Sequence, residues 1–219
     1  RSGEVRVRRR GVAGRGLREW ETVPVSLYRD TAIVLRTHKL GEADRIVVLL
    51  TRGHGKVRGV AKGVRRTTSK FGSRLEPGSH IQVQLHEGRG ELDIVTQAET
   101  VEPYRRTRED LSRLARASSL LEAIEQLAQD REPAPRLFDM LVGGLRVVDE
   151  RNPAMVSAAF YLKLLALEGL APELDVCVDC GEEGGPLYWA LEAGGVRCGS
   201  CGGGRVVSEA ALAVSRAVL

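Results

Sequence analysis

Aromatic residues make up only 4% of the 219-residue chain, and no hydrophobic run approaches the ~18 residues that a membrane-spanning helix needs. The N-terminal stretch also lacks the apolar core of a secretory signal. These absences predict a protein without membrane association, and we expect it in the cytoplasm. The four cysteines are then expected to be reduced thiols, since disulfides are rare in that compartment.

Recognisable catalytic motifs are also scarce. The four histidines all lie between residues 28 and 103, and only His54 occupies a suggestive loop, Gly53-His54-Gly55-Lys56. That loop lacks the preceding glycine and the following Ser or Thr of a phosphate-binding P-loop. We therefore predict that His54 occupies an exposed turn and that the protein is not an enzyme.

Charge is distributed unevenly along the chain, which has a formal net charge of +4. Residues 28–103 hold thirteen Lys or Arg against nine acids, whereas residues 104–219 hold thirteen against seventeen. A basic first half and an acidic second half indicate that the first half contacts a polyanion. Residues 1–26 are rich in Arg and Gly and have little hydrophobic periodicity, so we expect a disordered extension there.

Residues 27–103 show mostly the two-residue periodicity of β-strands, broken by glycine-containing turns. Five strands are predicted, at 32–36, 46–50, 56–60, 80–85 and 91–96. The fourth alternates cleanly and is expected to expose His80, Gln82 and Gln84. Five short strands are too few for an immunoglobulin sandwich, which has about seven strands in ~100 residues. They suit a small closed barrel, for which the OB-fold is the leading candidate.

Residues 104–219 are predicted to form a helical domain. Thr107 is a plausible N-cap with Asp110 three residues later, and apolar residues then recur at helical spacing from Leu111 and Leu114 onward. A second helix follows Pro133 and Pro135, with an inward face formed by Leu137, Phe138, Leu141, Leu145 and Val148. A third helix is expected from Asn152-Pro153 to Gly169; it is apolar nearly all round, which predicts a central, buried helix. Ser208 can cap a last helix.

The most specific pattern is a pair of C-x2-C motifs, Cys177/Cys180 and Cys198/Cys201, separated by seventeen residues. Four thiolates complete a closed tetrahedral zinc site, which is structural and not catalytic. The intervening segment has few apolar residues, so it depends on such a metal to fold. A redox dithiol and an iron–sulfur cluster are the alternatives. We expect a zinc-binding segment over residues 174–205, inserted in the helical domain.

A basic run between Thr51 and Leu75 contains eight cations and no acid: Arg52, Lys56, Arg58, Lys62, Arg65, Arg66, Lys70 and Arg74. Interleaved glycines let the backbone approach a phosphate chain. Such cations give affinity for nucleic acid without sequence choice, because they displace condensed counterions. A solvated charged loop is the alternative. Only Tyr28 and Phe71 are aromatic in residues 28–103, so base stacking can contribute little.

The chain resembles the bacterial RecO family. The resemblance rests on residues 28–35 (YRDTAIVL), 41–47 (GEADRIV), 50–56 (LTRGHGK), 61–66 (AKGVRR) and 75–78 (LEPG), together with the paired cysteines. It implies an N-terminal OB-fold, a helical domain and a zinc-binding segment. The first 24 residues precede the usual family start, and family members usually continue beyond Leu219, so we expect a fragment that lacks a closing helix.

The same resemblance implies a recombination mediator associated with the nucleoid. Such a protein binds single- and double-stranded DNA, anneals complementary strands and, with RecR, helps load RecA onto DNA coated with single-strand-binding protein, in the RecF pathway. Single-strand-binding protein would dock on the helical part. A protein–protein adaptor without annealing activity and an RNA-binding zinc protein remain alternatives.

Overall fold

The computed structural model describes residues 26–88, 90–184, 187–202 and 205–219, so the predicted extension lies almost wholly outside them. The chain divides into two compact units. Within the described residues, the first unit comprises 26–103 and 127–138, and the second comprises 104–126 and 139–219. The first unit is discontinuous in sequence, because residues 127–138 belong to it although they follow part of the second unit.

The first unit is built on a closed five-stranded barrel with the strand order β1-β2-β3-β5-β4. Its strands are β1 (Leu27–Leu40), β2 (Asp44–Thr51), β3 (Gly55–Ala61), β4 (His80–His86) and β5 (Leu92–Glu102). A 3₁₀ turn, Gly72–Leu75, lies between β3 and β4. All strand pairs are antiparallel except β3 with β5, whose short parallel contact closes the barrel. This arrangement confirms the predicted OB-like barrel.

Alternating side chains fill the interior of the barrel. On β3, Val57 and Ala61 point inward and are buried, whereas Lys56 and Arg58 lie on the outer face. Phe71 and Leu75 join this core from the 3₁₀ turn. Burying a side chain of this size contributes about 1.5–3 kcal/mol, so the turn is held firmly against the barrel.

One exposure predicted for β4 is wrong. Gln82 is exposed and Gln84 is partly exposed, but His80 is only 7% exposed. The ring of Phe138 packs edge-on against the imidazole of His80, with 5.9 Å between the ring centroids. Strand alternation places His80 on the outer face correctly, but a later segment of the chain covers that part of the face.

The second unit begins with two helices where the sequence predicts one. They are α1 (Arg105–Glu109) and α2 (Leu111–Leu127), separated by Asp110 in an extended conformation. The Asp110 carboxylate accepts a hydrogen bond from the Arg113 N–H at 2.8 Å, so Asp110 is the residue that caps α2. Thr107, the predicted cap, is buried and donates its hydroxyl to Asp149.

Leu111 and Leu114 were expected to face inward, but they are 82% and 44% exposed. The buried stripe of α2 begins three residues later, at Ala117, and includes Leu120, Leu121 and Ile124. At about 100° per residue along α2, Leu111 lies well outside this stripe and Leu114 lies at its edge, so both stay exposed.

The next two helices are α3 (Pro135–Glu150) and α4 (Val156–Leu167). The five apolar positions predicted for α3 are all buried. Gly144 lets α3 pack closely against α2 and α4, because a Cβ there would stand 2.9 Å from side-chain atoms of Leu120 and Phe160.

The prediction of a fully buried α4 is wrong. Val156, Phe160 and Leu164 are buried, but Tyr161 and Leu165 are 38% and 40% exposed. A helix with apolar residues on every side can be buried on any of them. On α4, the side that carries Tyr161 and Leu165 is not fully covered by other described residues. The helix also begins at Val156 and not at Asn152-Pro153, since Asn152 adopts a left-handed φ of 49°.

A small sheet completes the second unit. Its strands are β6 (Glu173–Cys177), β7 (Leu187–Ala190), β8 (Gly195–Cys198) and β9 (Arg205–Val206), in the order β6-β8-β7-β9. The last helix, α5 (Glu209–Val218), is capped by Ser208, whose Oγ accepts from the Ala211 N–H at 3.2 Å. This cap confirms the sequence prediction.

Candidate nucleic-acid interface and metal centre

The basic run is distributed over several parts of the first unit. Arg52 lies in the β2–β3 turn, where its N–H donates to the carbonyl of Thr31. The other seven cations fall into three groups that contact different parts of the first unit: Lys56 with Arg58 on β3, Lys62 with Arg65 and Arg66 in the following loop, and Lys70 with Arg74 beside the 3₁₀ turn.

The first group is paired with a carboxylate that follows α2. Asp130 lies 3.4 Å from the Lys56 ammonium and 3.3 Å from the Arg58 guanidinium. It belongs to residues 128–134, which connect α2 to α3 and which we call the strap. The strap runs along the start of β3, because the Lys56 N–H donates to the Gln129 carbonyl and the Arg131 N–H donates to the Lys56 carbonyl.

A buried carboxylate fixes the strap to the barrel. Asp93 on β5 is fully buried and accepts hydrogen bonds from the Tyr28 hydroxyl and from Arg131 at 2.8 Å. The Gly88 N–H donates to the same carboxylate at 3.0 Å. A buried charge is tolerated only when it is paired in this way. Arg131 is therefore a structural residue of the barrel although it lies 38 positions away from Asp93 along the chain.

The pKa values in this network follow from its geometry. Burial disfavours the ionised form of Asp93, but the hydrogen bonds from Arg131 and Tyr28 outweigh it and lower the pKa of Asp93 below its ordinary value. Burial, followed by the hydrogen bond to Asp93, raises the pKa of Tyr28. Asp93 is thus a stable anion and Tyr28 a stable neutral donor at neutral pH.

The second group of cations is available to a ligand. The loop after β3 lies on the β1–β2 turn, since the Gly63 N–H donates to Asp44 at 2.7 Å and the Arg65 N–H donates to the Ala43 carbonyl. These bonds hold the loop while its basic side chains remain exposed. Within the part of the chain that the structure describes, no carboxylate forms an ion pair with Lys62, Arg65 or Arg66.

The third group lines one side of a shallow groove in the barrel wall. Lys70 and Arg74 face Gln84 on β4 and a stretch of β5 that includes Thr96, Gln97 and Glu99, and the groove has a volume of about 450 Å³. We call it the amide groove. Both cations are exposed, and neither has an ion-paired carboxylate among the described residues.

The four cysteines converge in the second unit. All four Sγ atoms lie within 4.8 Å of one another, and those of Cys180 and Cys198 are 3.7 Å apart. Zinc–thiolate bonds of ~2.3 Å in a tetrahedron require sulfur–sulfur distances of roughly 3.8 Å. Two tight turns produce this geometry: the Gly181 N–H donates to the Cys177 carbonyl, and the Cys201 N–H donates to the Cys198 carbonyl. The arrangement can hold a metal ion.

The electrostatics of the cluster also suit a cation. Hydrogen bonds from the backbone N–H groups of Cys198 and then Cys180 lower the pKa of the Cys177 thiol to about 6. Hydrogen bonds with the sulfurs of Cys180 and then Cys198, which favour the protonated thiol, raise the pKa of Cys201. Four sulfurs this close can all be thiolates only with a cation between them, so the residues fit a thiolate-bound metal.

His54 lies in an exposed turn, as predicted. Its Nδ1 is 2.6 Å from Asp30, and its ring lies against that of Tyr28 in a tilted arrangement, with 4.4 Å between centroids. Asp30 also accepts from the Gly53 N–H, so the pair holds the shape of the β2–β3 turn.

Three residues of this region carry no signal in the local sequence: Asp93, Asp130 and Arg131. Asp93 lies between two apolar residues of a strand and the other two lie in a short polar stretch, and only the folded chain brings the strap beside β3 and β5. Among the described helices, none is long and apolar enough to cross a membrane.

Comparison with known proteins gives one consistent result. Residues 25–104 match the family described as Recombination protein O N terminal, and residues 108–219 match Recombination protein O C terminal. The chain is similar to the DNA repair protein RecO of Nocardioides sp., with 51% identity over 182 residues, 80% of this chain and 74% of that protein. RecO of Frankia casuarinae is 51% identical over 179 residues, 80% of this chain and 73% of that protein. RecO of Streptomyces griseus is 46% identical over 206 residues, 89% of this chain and 83% of that protein.

Proposed function

Since the chain belongs to the RecO family of DNA repair proteins, we propose that it is a non-enzymatic recombination mediator. It binds single- and double-stranded DNA and anneals complementary strands. With RecR it helps load RecA onto DNA coated with single-strand-binding protein. The observation that supports DNA binding is the set of exposed cations that form no ion pair with any carboxylate of the described residues: Lys62, Arg65, Arg66, Lys70 and Arg74.

Phosphate contacts dominate this binding. Phe71 is buried in the core, and the Tyr28 ring is partly buried and lies against the His54 ring, so these two aromatics of the barrel offer little ring surface for stacking. Lys56 and Arg58 contribute less than the other cations, because the Asp130 carboxylate offsets one of their two positive charges. Five phosphate contacts give a log–log salt slope of about −3.5 for single strands. A slope flatter than about −1 would contradict the proposed contacts.

The same chemistry accounts for annealing. Two complementary strands repel each other through their phosphates, and cations that neutralise phosphates lower that repulsion. Because few contacts involve bases, most base edges remain free to pair while the strands are held. The protein therefore brings strands together without choosing a sequence.

The four cysteines are proposed to bind one structural zinc ion. Four thiolates leave no open coordination position, so the metal supplies folding energy and no chemical step. With zinc the site carries a net charge of −2, which makes it a poor surface for DNA.

A second candidate is an adaptor that recruits other repair proteins and anneals no DNA. The pairing of Asp130 with Lys56 and Arg58 favours it, since that part of the basic run is occupied within the protein. In this case the remaining cations would contact RecR.

Annealing of complementary oligonucleotides coated with single-strand-binding protein, at several salt concentrations, separates the two candidates. Replacing Arg65 and Arg66 by Ala should slow annealing at least tenfold and reduce the steepness of the salt slope by about 1.4, at about 0.7 for each lost contact. The control replaces Arg136 and Arg146, two exposed arginines of α3, and changes the net charge equally. Unchanged annealing by the Arg65/Arg66 variant, with loss of RecR binding, would instead support the adaptor.

A further inference from the structure

The amide groove has a rigid cationic side. Phe71 and Leu75 anchor the 3₁₀ turn in the barrel core. The Arg74 guanidinium donates to the carbonyls of Lys70 and Phe71, at 2.9 and 3.3 Å, and the Lys70 ammonium lies 5.2 Å from the centre of the Phe71 ring. Both cations are therefore held beside the groove before a ligand arrives, which lowers the entropy cost of binding.

The lining that β4 and β5 contribute consists mainly of uncharged hydrogen-bonding groups, with one carboxylate, Glu99. Gln84 donates to the Thr96 hydroxyl at 3.1 Å and accepts from Arg29 at 2.7 Å, so its orientation is fixed. Gln97 is directly opposite Gln84 in the strand register and is exposed. Among the described residues, its amide has no hydrogen-bond partner, so both its donor and its acceptor can meet a ligand.

We propose that the amide groove binds one nucleotide of single-stranded DNA, an inference that rests on the proposed DNA-binding function. The phosphate contacts Lys70 and Arg74, and the base edge contacts Gln97. An amide carries both a donor and an acceptor, so it can pair with an exposed edge of different bases. Clefts of ~300–1,000 Å³ bind small molecules, so a groove of about 450 Å³ fits a nucleotide and cannot enclose a duplex.

The charge gradient across the groove sets the orientation of the nucleotide. Glu99 lies in the lining together with Gln97, and its carboxylate repels a phosphate but accepts a hydrogen bond from a base amino group. The phosphate is thus directed to the Lys70 and Arg74 side. In a duplex the base-pairing edges are already occupied, so the groove favours single strands.

The test measures DNA affinity by fluorescence anisotropy, with a single-stranded oligonucleotide and a duplex of the same length. Gln97→Leu should weaken single-strand binding by about three- to tenfold, the effect of one lost hydrogen bond, while duplex affinity and both salt slopes stay unchanged. Lys70→Ala should also reduce the steepness of the single-strand slope, by about 0.7. The control, Gln82→Leu, removes a neighbouring exposed amide of β4 outside the groove and should leave both affinities unchanged.

The possible results are distinct. Equal weakening of single-strand and duplex binding by Gln97→Leu overturns the inference. The inference is also overturned if Gln97→Leu leaves the affinity for single-stranded DNA unchanged while the Arg65/Arg66 variant binds DNA weakly. In that case the proposed function stands, and the groove is not part of it. If the wild-type protein binds neither DNA, the proposed DNA-binding function itself fails. All three substituted side chains are at the surface, and an unchanged thermal unfolding curve verifies that each variant is folded.

Discussion

Replacing Gly55 by Ala tests how firmly the strap holds the barrel. Gly55 begins β3 with a φ of 69°, a left-handed conformation that costs a residue with a Cβ about 1–2 kcal/mol. A Cβ at this position would also overlap the backbone carbonyl group of Glu132 and stand 2.7 Å from the nitrogen of that residue. These are backbone atoms, so no side-chain rotation can relieve the clash, and the strap must move away.

The displaced strap loses defined contacts. The two backbone hydrogen bonds that join Lys56 to Gln129 and Arg131 contribute about 1 kcal/mol each. Movement of Arg131 also weakens its bond to the buried Asp93, which raises the cost further. Together with the backbone strain, we expect Gly55→Ala to lower the free energy of unfolding of the first unit by about 3–5 kcal/mol.

Gly72→Ala is the matched control. Gly72 also has a positive φ, of 54°, but no atom lies within 4 Å of the position that an alanine methyl would take, so only the backbone cost of about 1–2 kcal/mol applies. Urea unfolding gives the two free energies, and hydrogen exchange of the Lys56 and Arg131 amides reports on the strap directly. Equal losses for the two variants, with unchanged exchange at both amides, would refute the proposed clamp.

Two further predictions concern the buried carboxylate and the cysteines. Because the pKa of Asp93 is lower in the folded protein than its ordinary value of 3.8, Asp93 contributes stability above that pH and loses it as the pH falls through the folded-state pKa. Urea unfolding at pH 7 and below pH 4 should therefore show a smaller acid-induced loss for Asp93→Asn than for the wild type, starting from a lower stability at pH 7; an identical pH dependence would contradict this. For the cysteines, elemental analysis should find one zinc per chain. A strong chelator, or the substitutions Cys177→Ser and Cys198→Ser, should destabilise the β6–β9 sheet while the barrel stays folded. Full stability without metal would refute the zinc assignment.

The barrel could be predicted because its strands follow a simple pattern. Residues such as Val57 and Ala61 alternate with polar neighbours, and a closed sheet has a distinct inside and outside. The cysteine cluster could also be predicted from the sequence, since two C-x2-C motifs at this spacing can bring their four sulfurs together in few ways. Both features depend on residues that are close in sequence or strictly periodic.

The strap could not be predicted for the opposite reason. It makes a single-residue parallel bridge, at Asp130, and one bridge leaves no periodicity to detect. The burial of Asp93 depends on Arg131, a partner that only the closed fold brings near. The helical errors have local causes: the single extended residue Asp110 divides one expected helix, and the buried stripe of α2 lies on a different side of that helix from Leu111.

The position of the strap along the chain bears on how the protein is made. During synthesis on the ribosome, all five barrel strands emerge before Arg131, the residue that balances the charge of Asp93. The barrel of the growing chain therefore lacks Arg131 until α2 and the strap have been translated. A recombinant fragment that ends at Pro103 would contain every strand but lack Arg131, the ion-pair partner of the buried Asp93, so we expect a fragment that extends through Phe138 to be more stable.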